Sequence, residues 1–212
     1  MKPESFAFCE QLENRRFLSA TLVDGVLKVV GTRGDDEINV ALVNGKPSRM
    51  GVNLNGSVST FAAANVRRVV IHGRAGDDLL SGGFSNEVMP LGVFITGGPG
   101  DDEIYGTHNN DYISGGDDND EIYADDGDDV IVGGVGDDEI YAGAGDDQMF
   151  GGDGADRLYG DDGNDLFAGG DGTDRFWGGK GNDRVLIPLS GPSSAGFAVD
   201  QPKELNDLWL LY

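Results

Sequence analysis

The stretch "GGVGDDEIYAGAGDDQMF", Gly133–Phe150, decides the fold. Twice within it a glycine precedes two adjacent aspartates, and one apolar residue follows two positions after the second aspartate. Neighbouring carboxylates repel and glycine gives a core nothing to pack, so either copy alone is unfavourable. Read outward, the phrase continues from Gly97 to Leu186 as ten nonapeptides without insertion or deletion: GGPGDDEIY, GTHNNDYIS, GGDDNDEIY, ADDGDDVIV, GGVGDDEIY, AGAGDDQMF, GGDGADRLY, GDDGNDLFA, GGDGTDRFW and GGKGNDRVL. The sixth position is aspartate throughout: Asp102, Asp111, Asp120, Asp129, Asp138, Asp147, Asp156, Asp165, Asp174 and Asp183. The eighth is always apolar, from Ile104 to Val185.

Such phasing predicts a repeat architecture. Each nonapeptide reads as a six-residue turn followed by a three-residue strand whose middle side chain points inward. The fourth position is glycine in eight copies and Asn109 or Asp118 in the others. Asparagine and aspartate best tolerate positive φ after glycine, which predicts a left-handed backbone there. A second period lies beneath the first. Odd copies begin Gly-Gly and end on Tyr105, Tyr123, Tyr141, Tyr159 or Trp177, whereas even copies end on Ser114, Val132, Phe150, Ala168 or Leu186. The structural unit is therefore eighteen residues, two nonapeptides per coil, in five coils.

Composition bounds the function. The chain of 212 residues carries 36 glycines and a formal charge of −23. Gly97–Leu186 holds 25 acidic and 4 basic residues, a net of −21, which leaves −2 for the rest. Such acidity and glycine content elsewhere signals disorder, but tenfold phasing argues against it. A polyanion such as nucleic acid would be repelled, so cations or basic surfaces are the expected counter-charges. A single cysteine, Cys9, excludes an internal disulfide framework. No signal-peptide pattern and no apolar run of about 20 residues is visible, so no membrane span is expected.

The block resembles the RTX, or haemolysin-type calcium-binding, repeat G-G-x-G-x-D-x-U-x, over 90 residues. The resemblance implies an all-β fold, a right-handed parallel β-roll or β-helix solenoid with two nonapeptides per coil. It also implies Ca²⁺ between successive turns, held by the sixth-position aspartates and by carbonyls of the glycine-rich loops. The residues agree with that chemistry. Calcium takes six to eight oxygens from carboxylates and carbonyls, whereas zinc prefers thiolate or imidazole and the block offers only His108. Stacked coils place Asp102, Asp120, Asp138, Asp156 and Asp174 on one side and Asp111, Asp129, Asp147, Asp165 and Asp183 on the other. Four gaps per side leave room for up to eight ions. Thr107, Asp125 and Asp161 in place of the second glycine, and Ala124 and Ala142 in place of the first, put local loop geometry in question.

Upstream, "GTRGDDEIN" (Gly31–Asn39) and "GRAGDDLLS" (Gly73–Ser81) repeat the phrase with Asp36 and Asp78 at the sixth position. "GGFSNEVMP" (Gly82–Pro90) is a decayed copy. Alternating apolar runs and Asp-Gly or Asn-Gly turns between them predict wider, irregular β-coils that continue the roll. The organisation is then an N-terminal segment (1–20), a β-rich lead-in (21–96), the regular block (97–186) and a tail (187–212). "QLENRRFLSA" (Gln11–Ala20) resembles a motif near the start of exported bacterial proteins, against a plain irregular segment. The tail is read either as a secretion signal or as a cap over the last coil.

Three function classes follow. The first is a calcium-dependent structural, secretion or surface module, extracellular, that folds on binding Ca²⁺. The second is a carbohydrate-binding module whose outward Tyr105–Trp177 ladder meets polysaccharide or another surface protein. An enzyme is the third and is disfavoured: the histidines are His72 and His108, and neither H-E-x-x-H nor G-x-S-x-G occurs.

Overall fold

The architecture is taken from a computed structural model, which describes residues 18–43, 46–83, 91–186 and 209–211. Eight strands precede the regular block: β1 (Ser19–Val23), β2 (Val26–Val30), β3 (Glu37–Val43), β4 (Lys46–Leu54), β5 (Ser57–Ala62), β6 (Arg68–His72), β7 (Leu79–Ser81) and β8 (Val93–Pro99). The block supplies β9 (Glu103–Tyr105), β10 (Tyr112–Asp117), β11 (Glu121–Asp126), β12 (Val130–Val135), β13 (Glu139–Ala144) and β14 (Gln148–Gly154). It continues with β15 (Arg157–Asp162), β16 (Leu166–Gly172), β17 (Arg175–Trp177) and β18 (Arg184–Leu186), and β19 (Trp209–Leu211) follows. The three-residue 3₁₀ turn Ala63–Asn65 is the one helical element among the described residues.

From β6 to β18, even and odd strands separate into two facing sheets. One runs β2-β6-β8-β10-β12-β14-β16-β18-β19 in parallel, with β1 added antiparallel at its start. The other runs β17-β15-β13-β11-β9-β7-β3 in parallel and ends in the antiparallel pairs β3–β4 and β4–β5. The pairing step is eighteen residues, as in Ile122↔Ile140 and Ile131↔Met149. The parallel β-roll is thus what the nonapeptide spacing dictates.

Strands β10 to β16 are longer than three residues. β11 runs from the seventh position through the third position of the next repeat, and Asp125 still pairs with Gly143. The first glycines therefore belong to the sheet, because identical copies one coil away offer matching partners there too. Interior space is narrow. From the sixth position to the next first position, alternate residues point inward: aspartate, the apolar residue, then glycine or alanine. The apolar set from Ile104 to Phe167 is 0 % exposed.

The lead-in joins the same core through Leu27, Val29, Ile38, Val40, Val69, Ile71 and Leu80. Its coils are wider, as expected. Asp36 and Asp78 are linked across 42 residues and Asp78 and Asp102 across 24, against 18 thereafter. The extra length of the first coil is the antiparallel β4–β5 hairpin, turned at Asn55 (φ +48°) and Gly56 (φ +82°). That is a tight turn with both central residues left-handed, as Asn-Gly favours. The motif at Gln11–Phe17, most of the decayed copy at Gly82–Pro90 and the tail at Ile187–Leu208 lie outside the described residues. Backbone at Trp209–Leu211 extends the sheet beyond β18.

Outside the second sheet the aromatic residues form the expected ladder. Tyr105, Tyr123, Tyr141, Tyr159 and Trp177 stack at 4.3–5.0 Å with planes within 9° of parallel. Tyr141 OH also donates to Glu139 at 2.7 Å. Tyr141→Ala removes two stacks, each worth about 0.5–1.5 kcal/mol beyond area burial, so a loss of about 1–3 kcal/mol is expected. Urea unfolding of the calcium-loaded protein measures it.

Candidate metal centre

All twelve sixth-position aspartates expected from the sequence are buried, at 0–5 % exposure, and they stand in two columns. In the first, backbone N–H groups donate to the carboxylate one coil ahead. Asp36 N donates to Asp78 Oδ1, Asp78 N to Asp102 Oδ1, and so on through Asp120, Asp138, Asp156 and Asp174, at 2.8–3.2 Å. The second begins with Val93 N on Asp111 Oδ1 and continues through Asp129, Asp147, Asp165 and Asp183 at 2.7–3.1 Å. The columns bring together the residues that steps of eighteen had grouped.

The first aspartate of each doublet has a role the sequence did not disclose. Fifth-position side chains accept from the coil that follows: Asn119 N donates to Asp101 Oδ1, Asp137 N to Asn119 Oδ1 and Ala155 N to Asp137 Oδ1. Asn110, Asp128, Asp146 and Asn164 do the same on the other side. One carboxyl of the pair therefore reaches back and its neighbour reaches forward. Asparagine in half of the second set is the available signal, since only the side-chain carbonyl oxygen is needed.

In eight of the twelve loops one carboxylate oxygen stays without a donor. Oδ2 of Asp78, Asp102, Asp120, Asp129, Asp138, Asp147, Asp156 and Asp165 is buried with no hydrogen-bond partner. Six of these oxygens press against the first glycine of their own loop, while Asp129 and Asp147 stand in loops that begin with Ala124 and Ala142. A Cβ at Gly133 would lie 2.2 Å from Asp138 Oδ2 and 2.7 Å from the carbonyl oxygen of Gly151 in the next coil. Carboxylate and carbonyl oxygens from successive coils thus converge, and glycine at the first position makes room for them.

Burial without donors disfavours the charged form. Desolvation chiefly raises Asp129 to about 9, Asp120 to about 8, and Asp78, Asp138 and Asp165 to about 7. Asp102, Asp111, Asp147 and Asp156 rise to about 6, and Asp174 rises as well. The backbone N–H on Oδ1 opposes each shift, while carboxylates of neighbouring coils generally add to it. A buried, donor-free oxygen beside a carbonyl fits a hard cation that takes oxygen ligands, and Ca²⁺ is such a cation.

Left-handed backbone recurs twice in ten of the twelve loops. All eight fourth-position glycines of the block and Asp118 have positive φ, but Asn109 does not. The second position shares the conformation, including Asp125 (φ +82°) and Asp161 (φ +67°), which keep the loop despite the missing glycine. Outside the columns, His108 pairs with Asp125 at 2.6 Å on the surface, with Asp126 adjacent.

A model of the RTX calcium-binding nonapeptide repeat matches four segments, residues 68–89, 94–122, 123–158 and 150–185, together more than half of the chain. The chain belongs to the RTX calcium-binding repeat family. No curated protein matches it. As an RTX protein it binds Ca²⁺ and forms a structural β-roll module, and its acidic doublets are family features rather than a disordered tract. The match begins at Arg68, so the loop carrying Asp78 lies within it and the loop carrying Asp36 does not. No helix among the described residues is long and apolar enough to cross a membrane.

Proposed function

We propose that this RTX chain is an extracellular structural or surface module that folds when calcium fills the gaps between its coils. The observation that carries the reading is the set of eight buried carboxylate oxygens without a donor. Bound calcium would supply the missing counter-charge, drawing ligands from the Asp102–Asp174 and Asp111–Asp183 series, from Asp78 and from the loop carbonyls. Up to eight divalent ions would bring +16 against the −21 of Gly97–Leu186. Without them, repulsion between coils favours the unfolded chain, so binding free energy becomes folding free energy. A medium rich in calcium folds the module, and one poor in calcium keeps it unfolded for export.

The reading assigns no reaction to the chain. It also prefers a stabilising role for the aromatic ladder over a glycan platform. Each inner ring, Tyr123, Tyr141 and Tyr159, spends both faces on its neighbours, which leaves a sugar ring no stacking face within the ladder.

Circular dichroism of the full chain in calcium-stripped buffer at neutral pH tests the proposal. Millimolar Ca²⁺ is expected to convert a coil spectrum to a β spectrum, with equal Mg²⁺ leaving it as coil. A chain whose spectrum without calcium already equals the calcium-loaded one overturns the reading.

A further inference from the structure

Two of the twelve loops differ from the other ten. In "GTRGDD" (Gly31–Asp36) and "GTHNND" (Gly106–Asp111) the second residue is threonine. Thr32 N–H and Oγ1–H both donate to Asp36 Oδ2, at 2.5 and 2.9 Å. Thr107 N–H donates to Asp111 Oδ2 at 2.6 Å, and its hydroxyl reaches Oδ1 at 3.1 Å. Each hydroxyl oxygen in turn accepts the N–H two residues on, from Gly34 or Asn109, at 3.2 Å. Asp36 and Asp111 are accordingly absent from the aspartates with a donor-free buried oxygen, as are Asp174 and Asp183 at the far ends of the columns.

The backbone divides the loops in the same way. Ten loops, from Arg74 and Gly76 through Gly179 and Gly181, have positive φ at both the second and fourth positions. The two threonine loops have it at neither, although Gly34 could adopt it freely. Threonine is β-branched and resists the left-handed region, so it holds the turn in the ordinary conformation that aims its N–H at the carboxylate. The carboxylate is drawn across in consequence. A Cβ on Gly31 or Gly106 would stand 2.7 or 2.6 Å from Oδ2, against 2.0–2.2 Å at Gly73, Gly97, Gly115, Gly133, Gly151, Gly160, Gly169 and Gly178.

Position in the columns completes the pattern. Asp36 heads the first column and Asp111 the second. Each threonine therefore stands at the first gap between coils, and the eight donor-free oxygens belong to the gaps that follow.

We propose that Thr32 and Thr107 stand in for a cation: their two donors satisfy the buried carboxylate, so the first gap of each column takes no calcium. The assignment rests on the calcium reading of the remaining gaps. The metal columns then open at Asp78 and Asp129, and each begins on a coil whose aspartate is satisfied by protein alone.

Calcium stoichiometry of the full chain, by calorimetry and by terbium luminescence, tests this. Thr107→Gly is expected to bind one ion more than the wild type, and Thr32→Gly with Thr107→Gly two more. Asp161→Thr, which installs the threonine in a loop of the other kind, is expected to bind one fewer. An unchanged count in Thr107→Gly, with a calcium-loaded spectrum like the wild type, overturns the proposal. So does an unchanged count in Asp161→Thr, which covers a Thr107→Gly that fails to fold. A wild type that takes up no calcium instead removes the parent reading, a result told apart by the wild-type titration alone.

Discussion

In calcium-stripped buffer, lowering the pH from 8 to about 4.5 is expected to fold the chain, the reverse of ordinary acid denaturation. An unfolded aspartate titrates near 3.9. In the roll Asp129 is held at about 9, Asp120 at about 8 and their column neighbours at about 6–7. Over the interval from about 4 to 9 the folded chain therefore binds more protons than the unfolded one, and its stability falls as pH rises. The contribution is fully present below about pH 4 and is lost as pH climbs through the folded values. Protonation also reduces the repulsion that the −23 charge imposes at pH 7. With calcium present the dependence reverses in sign for affinity, because protons and the cation compete for the same oxygens. Circular dichroism against pH, in buffer stripped by resin because chelators weaken in acid, checks both limbs. A coil spectrum at pH 4.5 as at pH 8 would sink the account of buried carboxylates.

The second large effect is expected at Asp138, in the middle of the first column. Asp138→Ala leaves the buried N–H of Asp120 without its acceptor and removes one charge from the gap toward Gly151. Asp138→Asn keeps an acceptor for that N–H and removes only the charge. A hydrogen bond to a charged group is worth about 1.5–3 kcal/mol, or roughly ten- to a hundredfold in a binding constant. Asn is therefore expected to raise the calcium midpoint by at least about tenfold. Ala adds about 1–3 kcal/mol for the orphaned N–H, seen as a lower melting temperature even at saturating calcium. Because coils contact only their neighbours, the damage should propagate to both flanking coils before it reaches the ends. Equal midpoints for Asn and wild type would contradict a ligand role for Asp138.

The columns were legible because the side-chain period of a strand and the nine-residue step leave one solution for ten aspartates and ten apolar residues. Coil width was legible too, since "VNGK" and "NLNGSV" mark turns within the long first coil. Other features escaped. In sequence, Thr107, Asp125 and Asp161 are equivalent losses of the second glycine. In the structure the aspartates enter the left-handed region and keep the loop, whereas threonine stays out and redirects two donors. Only φ separates them, and φ at that position is not encoded by the repeat itself. The fourth position misled at Asn109 for the same reason: its conformation follows Thr107, two residues earlier. The strand length was underestimated because glycine reads as a turn, although two stacked glycine ladders pair as well as any other residues once their neighbours match.

The aromatic ladder has a consequence outside mechanics. Four phenol rings stacked at 4.6–5.0 Å end against the indole of Trp177 at 4.3 Å. Light absorbed by the tyrosines can pass along the ladder and leave as tryptophan emission, most efficiently while the coils between them are in register. The molecule thus carries its own optical gauge, whose colour reports how closely its turns are stacked.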